Sequence, residues 1–395
     1  MKSIRGGITA PRGFFQAGIY CGIKKKALDL ALILSEVPAA ACGLFTSNSF
    51  KAAPVVLSKK YLDKKKHRAV IINSGNANCL TGKPGIADAI AISDQLSSLI
   101  GCSKEEVLAC STGIIGKRLP ISRIKRSLPT LISSLHRAPS KSAAQAIITT
   151  DTFLKEAAYS VQVGQSSICL AGIAKGAGMI APNMATMLAI LTTDARLEKR
   201  VLRKALKEAV DASFNSITID GDMSTNDTVI LLANGLSGVE ISESSRTYKK
   251  FVEALKALCL DLAKMIIRDG EGATKFIEVE VVHAKNTCLA REMGLKVANS
   301  PLFKTMCYGN NPNFGRIAAA CGAISRPVDP AKVDIYLNGR KAVDKGVAVT
   351  DKLPSAIFKS KEIKITIDLN SGKARAKLYT SDLSPEYIKI NAAYC

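Results

Sequence analysis

The chain has 395 residues and 47% hydrophobic side chains, enough to bury a sizeable core in one large or two medium domains. No apolar run approaches the ~18 residues that would span a bilayer, and the N-terminus runs into Gly6 and Gly7 rather than an apolar signal core. We therefore expect a cytoplasmic protein with no membrane partner. The 55 basic and 33 acidic residues leave a net charge of +22, but the lysines are dispersed and tryptophan is absent, so we expect no nucleic-acid partner.

The cysteines and histidines argue against several kinds of site. Eleven cysteines are scattered along the chain, odd in number and without a Cys-x-x-Cys pair, so we expect neither a disulfide framework nor a metal site. We interpret them as small buried apolar residues in a reducing compartment. The three histidines, His67, His136 and His283, have no nucleophile beside them in the sequence, which disfavours a histidine-based catalytic triad.

Predicted strands and helices alternate along the chain. In the first fifty residues, apolar stretches broken by glycine and proline indicate short strands and turns. Further strands are predicted at 69–72, 166–174, 189–191, 216–220, 228–232 and 277–282, with a terminal strand pair that turns at 370–372. Helices are predicted at 83–101, 120–150, 197–212, 247–268 and 287–299. This alternation predicts an α/β fold.

Two short polar segments have the composition of ligand-binding loops. Residues 73–78, NSGNAN, follow the strand at 69–72, and an ordinary turn is an equally good interpretation of them. Residues 111–116, STGIIG, separate two predicted helices, and their glycines make them a candidate backbone site.

Residues 175–188, KGAGMIAPNMATML, allow two interpretations. Gly176, Gly178 and Ala181 have the spacing of a dinucleotide-binding loop, and Asp194 follows at roughly the distance of a ribose-binding acid. Pro182 argues against that loop, because proline would break the helix that has to follow. The same residues favour a bent backbone that leads to Thr186.

Thr186 could act as both the agent of cleavage and the nucleophile. If the Ala185–Thr186 peptide is strained, the threonine hydroxyl can attack the preceding carbonyl, and water then releases an N-terminal threonine. The α-amino group, with a reference pKa of roughly 7.7–8.0, can accept the hydroxyl proton near neutral pH, so no histidine is required. From the residues alone, an ordinary strand threonine stays an open alternative.

The motifs together resemble the glutamate N-acetyltransferase family, also called ornithine acetyltransferase. They cover essentially the whole chain in the family's order: GGITAPRGF, NSGNAN, STGIIG, TTDT, KGAGMIAPNMATML, DGEGATK and NPNFGRIAAA. The resemblance implies a layered α/β sandwich with sheets packed between helix layers.

The resemblance also implies self-cleavage between Ala185 and Thr186. The products would be an alpha chain of residues 1–185 and a beta chain of residues 186–395, which share one core and assemble as a heterotetramer of two alpha and two beta chains. The strand after the cut would stay embedded in the sheet.

The implied reaction is ping-pong acetyl transfer in arginine biosynthesis. Thr186 takes the acetyl group from N-acetylornithine, releases ornithine and passes the acetyl group to glutamate. No cofactor is implied. In bifunctional relatives acetyl-CoA charges the same threonine, and the sequence does not decide whether this chain accepts it.

The implied site residues are carried over motif by motif. Thr112 and Gly113 match the family's oxyanion hole, whose donors stabilise a developing alkoxide. The matches to substrate-binding positions are Thr152, Lys175, Thr186, Glu271, Asn391 and, at the terminus, Cys395. A cation such as Lys175 suits a carboxylate, and a carboxylate such as Glu271 suits an ammonium group.

The chain departs from the family pattern at two positions. It stops at Cys395, one position before the serine or threonine with which family members usually end, so Cys395 is a weaker match than the others. Asn311 occupies a position that usually holds an aspartate.

Two other functions are compatible with parts of the sequence. A self-cleaving N-terminal-threonine amidase or aminopeptidase would use the same chemistry but pass the acyl group to water. A basic binding protein without catalysis would stay uncut and would bind polyanions in a salt-sensitive way.

Overall fold

The computed structural model describes residues 1–64, 66–137, 139–181, 187–349 and 353–393. These residues form two compact units. Among the described residues, the first comprises those within 1–179, 187–215 and 223–266, and the second comprises those within 180–181, 216–222 and 267–393. One β-sheet of nine strands and one of six carry the fold, and helices pack on both, which confirms the α/β class.

The first unit contains the nine-stranded sheet. Its strands are β1 (Lys2–Ile4), β2 (Phe14–Ile19), β3 (Leu30–Phe45), β4 (His67–Asn76), β5 (Val107–Ile114), β6 (Lys155–Val163), β7 (Ser166–Lys175), β8 (Leu188–Thr193) and β9 (Thr228–Ala233). Its helices are α1 (Ala53–Tyr61), α2 (Gly82–Ile100), α3 (Ile121–Ser133), α4 (Ser142–Ile147), α5 (Lys199–Asp211) and α6 (Arg246–Arg268), the last of which ends in the second unit.

Strand β8 lies inside the first sheet. The strand order is β1-β6-β7-β8-β9-β3-β4-β5, with β2 paired to β3. β8 pairs antiparallel with β7 on one side and parallel with β9 on the other. All six of its residues are buried, as is typical of a strand covered on both faces. The expectation that the strand after residue 185 is embedded in the sheet is therefore confirmed.

Helices cover both faces of this sheet. Alternate residues of β3 point to opposite faces, so Leu32 belongs to one apolar cluster and Ile33 to another. Helix α3 adds Ile124 and Leu128 to the cluster of Leu32, whereas α4 adds Ala143 to that of Ile33. The predicted packing of a sheet between helix layers is thus confirmed here.

The second unit contains the six-stranded sheet. Its strands are β10 (Phe276–Ala284), β11 (Asp334–Leu337), β12 (Arg340–Asp344), β13 (Val347–Ala348), β14 (Glu362–Asp368) and β15 (Ala374–Ser381), in the order β13-β12-β11-β14-β10-β15. Its helices are α7 (Thr287–Ala298), α8 (Pro301–Tyr308), α9 (Phe314–Gly322) and α10 (Pro385–Ala392). No helix in the described parts of the chain has the length and apolarity needed to cross a bilayer.

The second sheet has one apolar face and one charged face. In β10, buried residues such as Val279 alternate with Glu278 and Glu280. Glu280 pairs with Lys364 of β14 at 2.9 Å, and Glu278 pairs with Lys377 of β15 at 3.0 Å. Because the period of a strand is two residues, this alternation places Ile277, Val279 and Val281 together on the helix-covered face.

Two predicted elements have different boundaries in the structure. The single helix predicted at 120–150 is wrong, because α3 ends at Ser133 and α4 begins at Ser142. Pro139 lies between them and cannot continue a helix. The short strands predicted in the first fifty residues include β3, which is one strand of 16 residues whose pairing with β4 shifts between Leu34 and Ala39, around Pro38.

The strand predicted at 216–220 is also wrong. A 3-10 turn occupies Phe214–Ser216, and the following residues make only one bridge, between Ile217 and Tyr379. The backbone N–H of Ile219 donates instead to the carbonyl of Ile180 at 2.8 Å. Local apolar residues predicted a strand, but tertiary hydrogen bonds decide the conformation.

The terminal strands were predicted as a pair, and their pairing is different. β14 pairs parallel with β10 and β15 pairs antiparallel with β10, so β10 lies between them. The predicted turn at 370–372 passes close to the end of β10, where a Cβ on Gly372 would be 2.3 Å from the carbonyl oxygen of Ala284. Only glycine fits this approach.

Candidate active site

Two of the predicted site residues meet at strand ends in the first unit. Lys175 is the last residue of β7, and Thr112 is close to the end of β5. The Lys175 Nζ is 3.5 Å from the Thr112 Oγ1, and both side chains are buried. The structure thus brings the predicted carboxylate-binding cation next to the predicted oxyanion hole.

A buried carboxylate, Asp151, organises the charges around Lys175. Its Oδ2 is 3.9 Å from the Lys175 Nζ, and its Oδ1 is 2.6 Å from the Lys155 Nζ. The backbone N–H groups of Thr149 and Gly176 also donate to it, at 3.0 and 2.7 Å. Every oxygen of this carboxylate therefore has a donor.

Two lysines and one carboxylate form the described part of this cluster. Burial alone would raise the pKa of Asp151, but Lys175, Lys155 and the Gly176 N–H outweigh it and lower the pKa to about 2. One carboxylate then faces two lysines, and Lys155 is the closer partner. Such a cluster suits a substrate that brings a negative charge.

The backbone at Gly113 is held in a conformation that requires glycine. Its φ is +130°, and a Cβ there would lie 2.3 Å from the carbonyl carbon of Gly75, in the segment NSGNAN. Asn226 fixes the same region by donating to the carbonyls of Ala77 and Ser111, at 2.7 and 2.8 Å. The two glycine-containing segments therefore pack directly on each other.

Thr152 follows Asp151 directly, and its side chain is exposed. Its predicted contact with substrate stays a prediction.

Glu271 and Asn391 meet in the second unit. The Asn391 Nδ2 donates to the Glu271 Oε2 at 2.9 Å and to the carbonyl of Tyr387, also at 2.9 Å. The Ser384 Oγ, at the start of α10, donates to the Gly272 carbonyl at 2.6 Å. These bonds join the DGEGATK loop to α10, so the two predicted residues lie together.

Three predicted positions, Ala185, Thr186 and Cys395, lie outside the described residues. The nearest described residue after the proposed cut is Met187, whose N–H donates to the Asp227 Oδ1 at 2.8 Å. Asn311 is described and exposed; its N–H donates to the Met306 carbonyl at 3.0 Å, and nothing in the structure explains the change from aspartate.

The sequence prediction missed several residues of the site. Asp151 stands inside the recognised motif TTDT, so the motif carried a signal for it, but Lys155 and Asp227 had none beyond their residue type. Lys24 was also missed: its Nζ donates to the Ile148 carbonyl at 2.6 Å, and burial lowers its pKa to about 8. Only tertiary contacts reveal these groups.

Together, these features define an α/β protein with a buried cluster of charged side chains beside a closely packed glycine backbone. Comparison with known proteins identifies its relatives. The chain matches the sequence model of the ArgJ family over residues 16–395, and it belongs to that family.

Individual relatives agree with this assignment. The chain is 45% identical over 388 residues to the arginine biosynthesis bifunctional protein ArgJ of Geobacter sulfurreducens, covering 97% of this chain and 99% of the relative. It is 43% identical over 408 residues to the glutamate N-acetyltransferase of Methanocaldococcus jannaschii, with both chains fully covered. A crystal structure of ArgJ from Bacillus halodurans is similar at a TM-score of 0.51 and 36% identity, covering 53% of this chain and 100% of that one.

Proposed function

We propose that this chain transfers the acetyl group of N-acetylornithine to glutamate through an acetyl ester on Thr186. The observation that carries the proposal is the buried Lys175–Asp151–Lys155 cluster next to Thr112 in a member of the ArgJ family. Its lysines suit the carboxylate that both N-acetylornithine and glutamate contain. The acetyl group moves between two amines, so the reaction needs no cofactor.

Groups of this chain supply the nucleophile and every proton transfer of the proposed reaction. The Thr186 Oγ attacks the acetyl carbonyl while the Thr186 α-amine takes the hydroxyl proton. Thr112 and Gly113 stabilise the oxyanion, and the α-ammonium returns the proton to the departing amine of ornithine. Glutamate then attacks the ester by the reverse sequence.

Thr152, Glu271 and Asn391 have supporting roles in the proposal. Glu271 accepts from Asn391, which fixes a carboxylate that can bind the ammonium group of the substrate. Thr152 follows Asp151 and adds a hydroxyl next to the cluster. Cys395 is proposed only as a contact at the terminus.

We also propose that the chain cuts itself between Ala185 and Thr186. Cleavage supplies the α-amine that the reaction needs as a base. The embedded position of β8 supports the proposal that residues 1–185 and 186–395 stay together after the cut. A heterotetramer of two chains of each kind would have twice the 41.9 kDa mass of the sequence, which light scattering can measure.

A cytoplasmic location is part of the proposal. The ten cysteines that the structure describes are free thiols, and a reducing compartment keeps thiols in that form. Cell fractionation with an antibody against the chain tests it.

The decisive experiment follows a labelled acetyl group. Purified protein is incubated with N-acetylornithine carrying ¹³C in the acetyl group and with unlabelled glutamate, and the products are measured by mass spectrometry. We expect labelled N-acetylglutamate in equal amount to ornithine, and neither product with Thr186→Ala. Labelled free acetate in place of N-acetylglutamate would support an amidase and contradict the proposal.

Two parallel measurements complete the test. Denaturing mass spectrometry has to find two fragments, the second beginning at Thr186, in the wild type and one intact chain in Thr186→Ala. Replacing N-acetylornithine with labelled acetyl-CoA determines whether the chain is also charged by that donor.

A further inference from the structure

Asp227 is a buried carboxyl group in the first unit that the proposed mechanism does not use. Its residue is 0% exposed, and its Oδ1 accepts the N–H of Met187 at 2.8 Å. The carbonyl of Met187 in turn accepts the N–H of Thr228 at 3.0 Å. Both polar groups of the Met187 backbone are thereby fixed, and Met187 is joined by a peptide bond to Thr186.

The second oxygen of Asp227 has an unusual environment. No described residue forms a hydrogen bond with its Oδ2, although the oxygen is buried. An ionised carboxylate with an unsatisfied buried oxygen is disfavoured more strongly than the neutral acid, because burying a charge costs more free energy than burying a neutral polar group. Burial accordingly raises the pKa of Asp227 well above its ordinary value, against the opposing effects of the Met187 N–H and of Lys175 at the end of β7.

We propose that Asp227 is a positioning residue for Thr186. Its Oδ1 holds the N–H of Met187, the residue bonded to Thr186, and its carboxyl group is uncharged. The inference rests on the proposed function and adds a residue to it. Asp227 and Asp151 thus share the site in opposite forms: Asp151 is an ion with donors on both oxygens, and Asp227 is uncharged.

The neutral form has a chemical consequence for the nucleophile. The α-nitrogen of Thr186 is separated from the Met187 nitrogen only by the Thr186 Cα and carbonyl carbon. A negative charge on Asp227 would stabilise the α-ammonium and raise its pKa, so the amine would be a poorer base at neutral pH. A neutral acid positions the same backbone without this penalty.

The experiment compares full-length wild type with Asp227→Asn and Asp227→Ala in the labelled acetyl transfer, with rates divided by the fraction of cut chain. Asparagine keeps the Oδ1 acceptor and adds no charge, whereas alanine removes the acceptor. We expect Asp227→Asn to remain within about threefold of wild type and Asp227→Ala to be slower by about 10- to 100-fold.

The pH dependence provides a readout that a purely structural role would not move. The acid limb of the pH profile of kcat/KM reports the pKa of the α-amine of Thr186. If Asp227 is neutral, the limbs of wild type and Asp227→Asn coincide. If Asp227 is ionised, removing its charge shifts the limb of Asp227→Asn to lower pH by about one unit, which would overturn the inference.

Asp194→Asn is the matched control. Asp194 is also buried in the first unit, follows the other end of β8, and accepts the N–H groups of Cys169 and Arg12 at 2.8 and 3.3 Å. Its substitution places an amide N–H₂ against a backbone donor and reports the general cost of asparagine at a buried aspartate. We expect a lower urea midpoint and an unchanged acid limb.

The outcomes separate this inference from the proposed function. A wild type that transfers no acetyl contradicts the proposed function itself. A wild type that transfers acetyl while Asp227→Asn is as slow as Asp227→Ala contradicts only the role of Asp227. If Asp227→Ala does not fold, the rate and the pH profile of Asp227→Asn still test whether Asp227 is a neutral positioning residue.

Discussion

The predicted site residues belong to two regions that differ in their exposure to solvent. In the first unit, the side chains of Asp151 and Lys155 are 0% exposed and that of Lys175 is 5% exposed. In the second unit, the hydrogen bond between Asn391 and Glu271 is exposed. One region is an assembled charge cluster, and the other is a polar pair that water can reach.

This difference determines how strongly each region should respond to change. Charges removed from water interact strongly and are little screened, and breaking a buried pair leaves an uncompensated charge. Exposed polar pairs contribute little, because water replaces either partner. We therefore expect large effects in the first region and small ones in the second.

The largest effect is expected from Lys175→Met, which keeps the length of the side chain and removes its charge. Without this cation, the substrate carboxylate loses its partner, and kcat/KM for N-acetylornithine should fall by about 100-fold or more. Lys256→Met is the control, because Lys256 forms a partly exposed ion pair with Glu208. Steady-state kinetics of both variants decide, and a loss below about fivefold for Lys175→Met would contradict the role of the cluster.

An intermediate effect is expected on stability from Asp151→Asn. Because the pKa of Asp151 is lower in the folded protein than in the unfolded chain, its stabilisation is complete above pH ~4 and is lost as the pH falls from about 4 to about 2. At pH 7 the substitution should lower the free energy of unfolding by about 2–3 kcal/mol. Urea unfolding in the Thr186→Ala background, which we expect to stay uncut, measures it at pH 7 and at pH 3.

The control for this prediction is Asp211→Asn. Asp211 forms an exposed pair with Lys207 at 2.6 Å, and its substitution should change the free energy of unfolding by less than about 0.5 kcal/mol. A difference between Asp151→Asn and its parent that stays constant from pH 7 to pH 3 would show that the ionised form of Asp151 is not the source of its stabilisation.

The smallest effect is expected from Asn391→Ala. It removes the exposed bond to Glu271, so KM for N-acetylornithine should rise by less than about tenfold, and the free energy of unfolding should change by less than about 0.5 kcal/mol. Lys389→Ala on the same helix is the control. If Asn391→Ala reduced activity as much as Lys175→Met, the contrast between the two regions would be wrong.

The sequence predicted the elements whose patterns are local. The apolar run in β8 and the alternation of apolar residues with Glu278 and Glu280 in β10 both mark strands, and the two patterns differ because one sheet is covered on two faces and the other on one. The strand at 216–220 and the terminal pair were wrong because their pairing depends on distant partners.

The site was predicted to the extent that motifs carried it. Family resemblance placed Lys175, Thr112 and Gly113, and the structure brings them together. Asp227 could not be predicted, because a lone aspartate before a strand is usually exposed. Its burial, and the unsatisfied oxygen that indicates a neutral acid, become visible only when the chain is folded.

The embedded position of β8 has a consequence for refolding. β8 is hydrogen-bonded on both sides, and β7 and β9 belong to different fragments of a chain cut after residue 185. Once such a protein is fully denatured, the sheet can reform only when two separate polypeptides meet. Recovery of the cut form should therefore depend on protein concentration, whereas the uncut Thr186→Ala chain should refold at a rate that does not. Under this proposal, maturation would convert a unimolecular folding reaction into a bimolecular one.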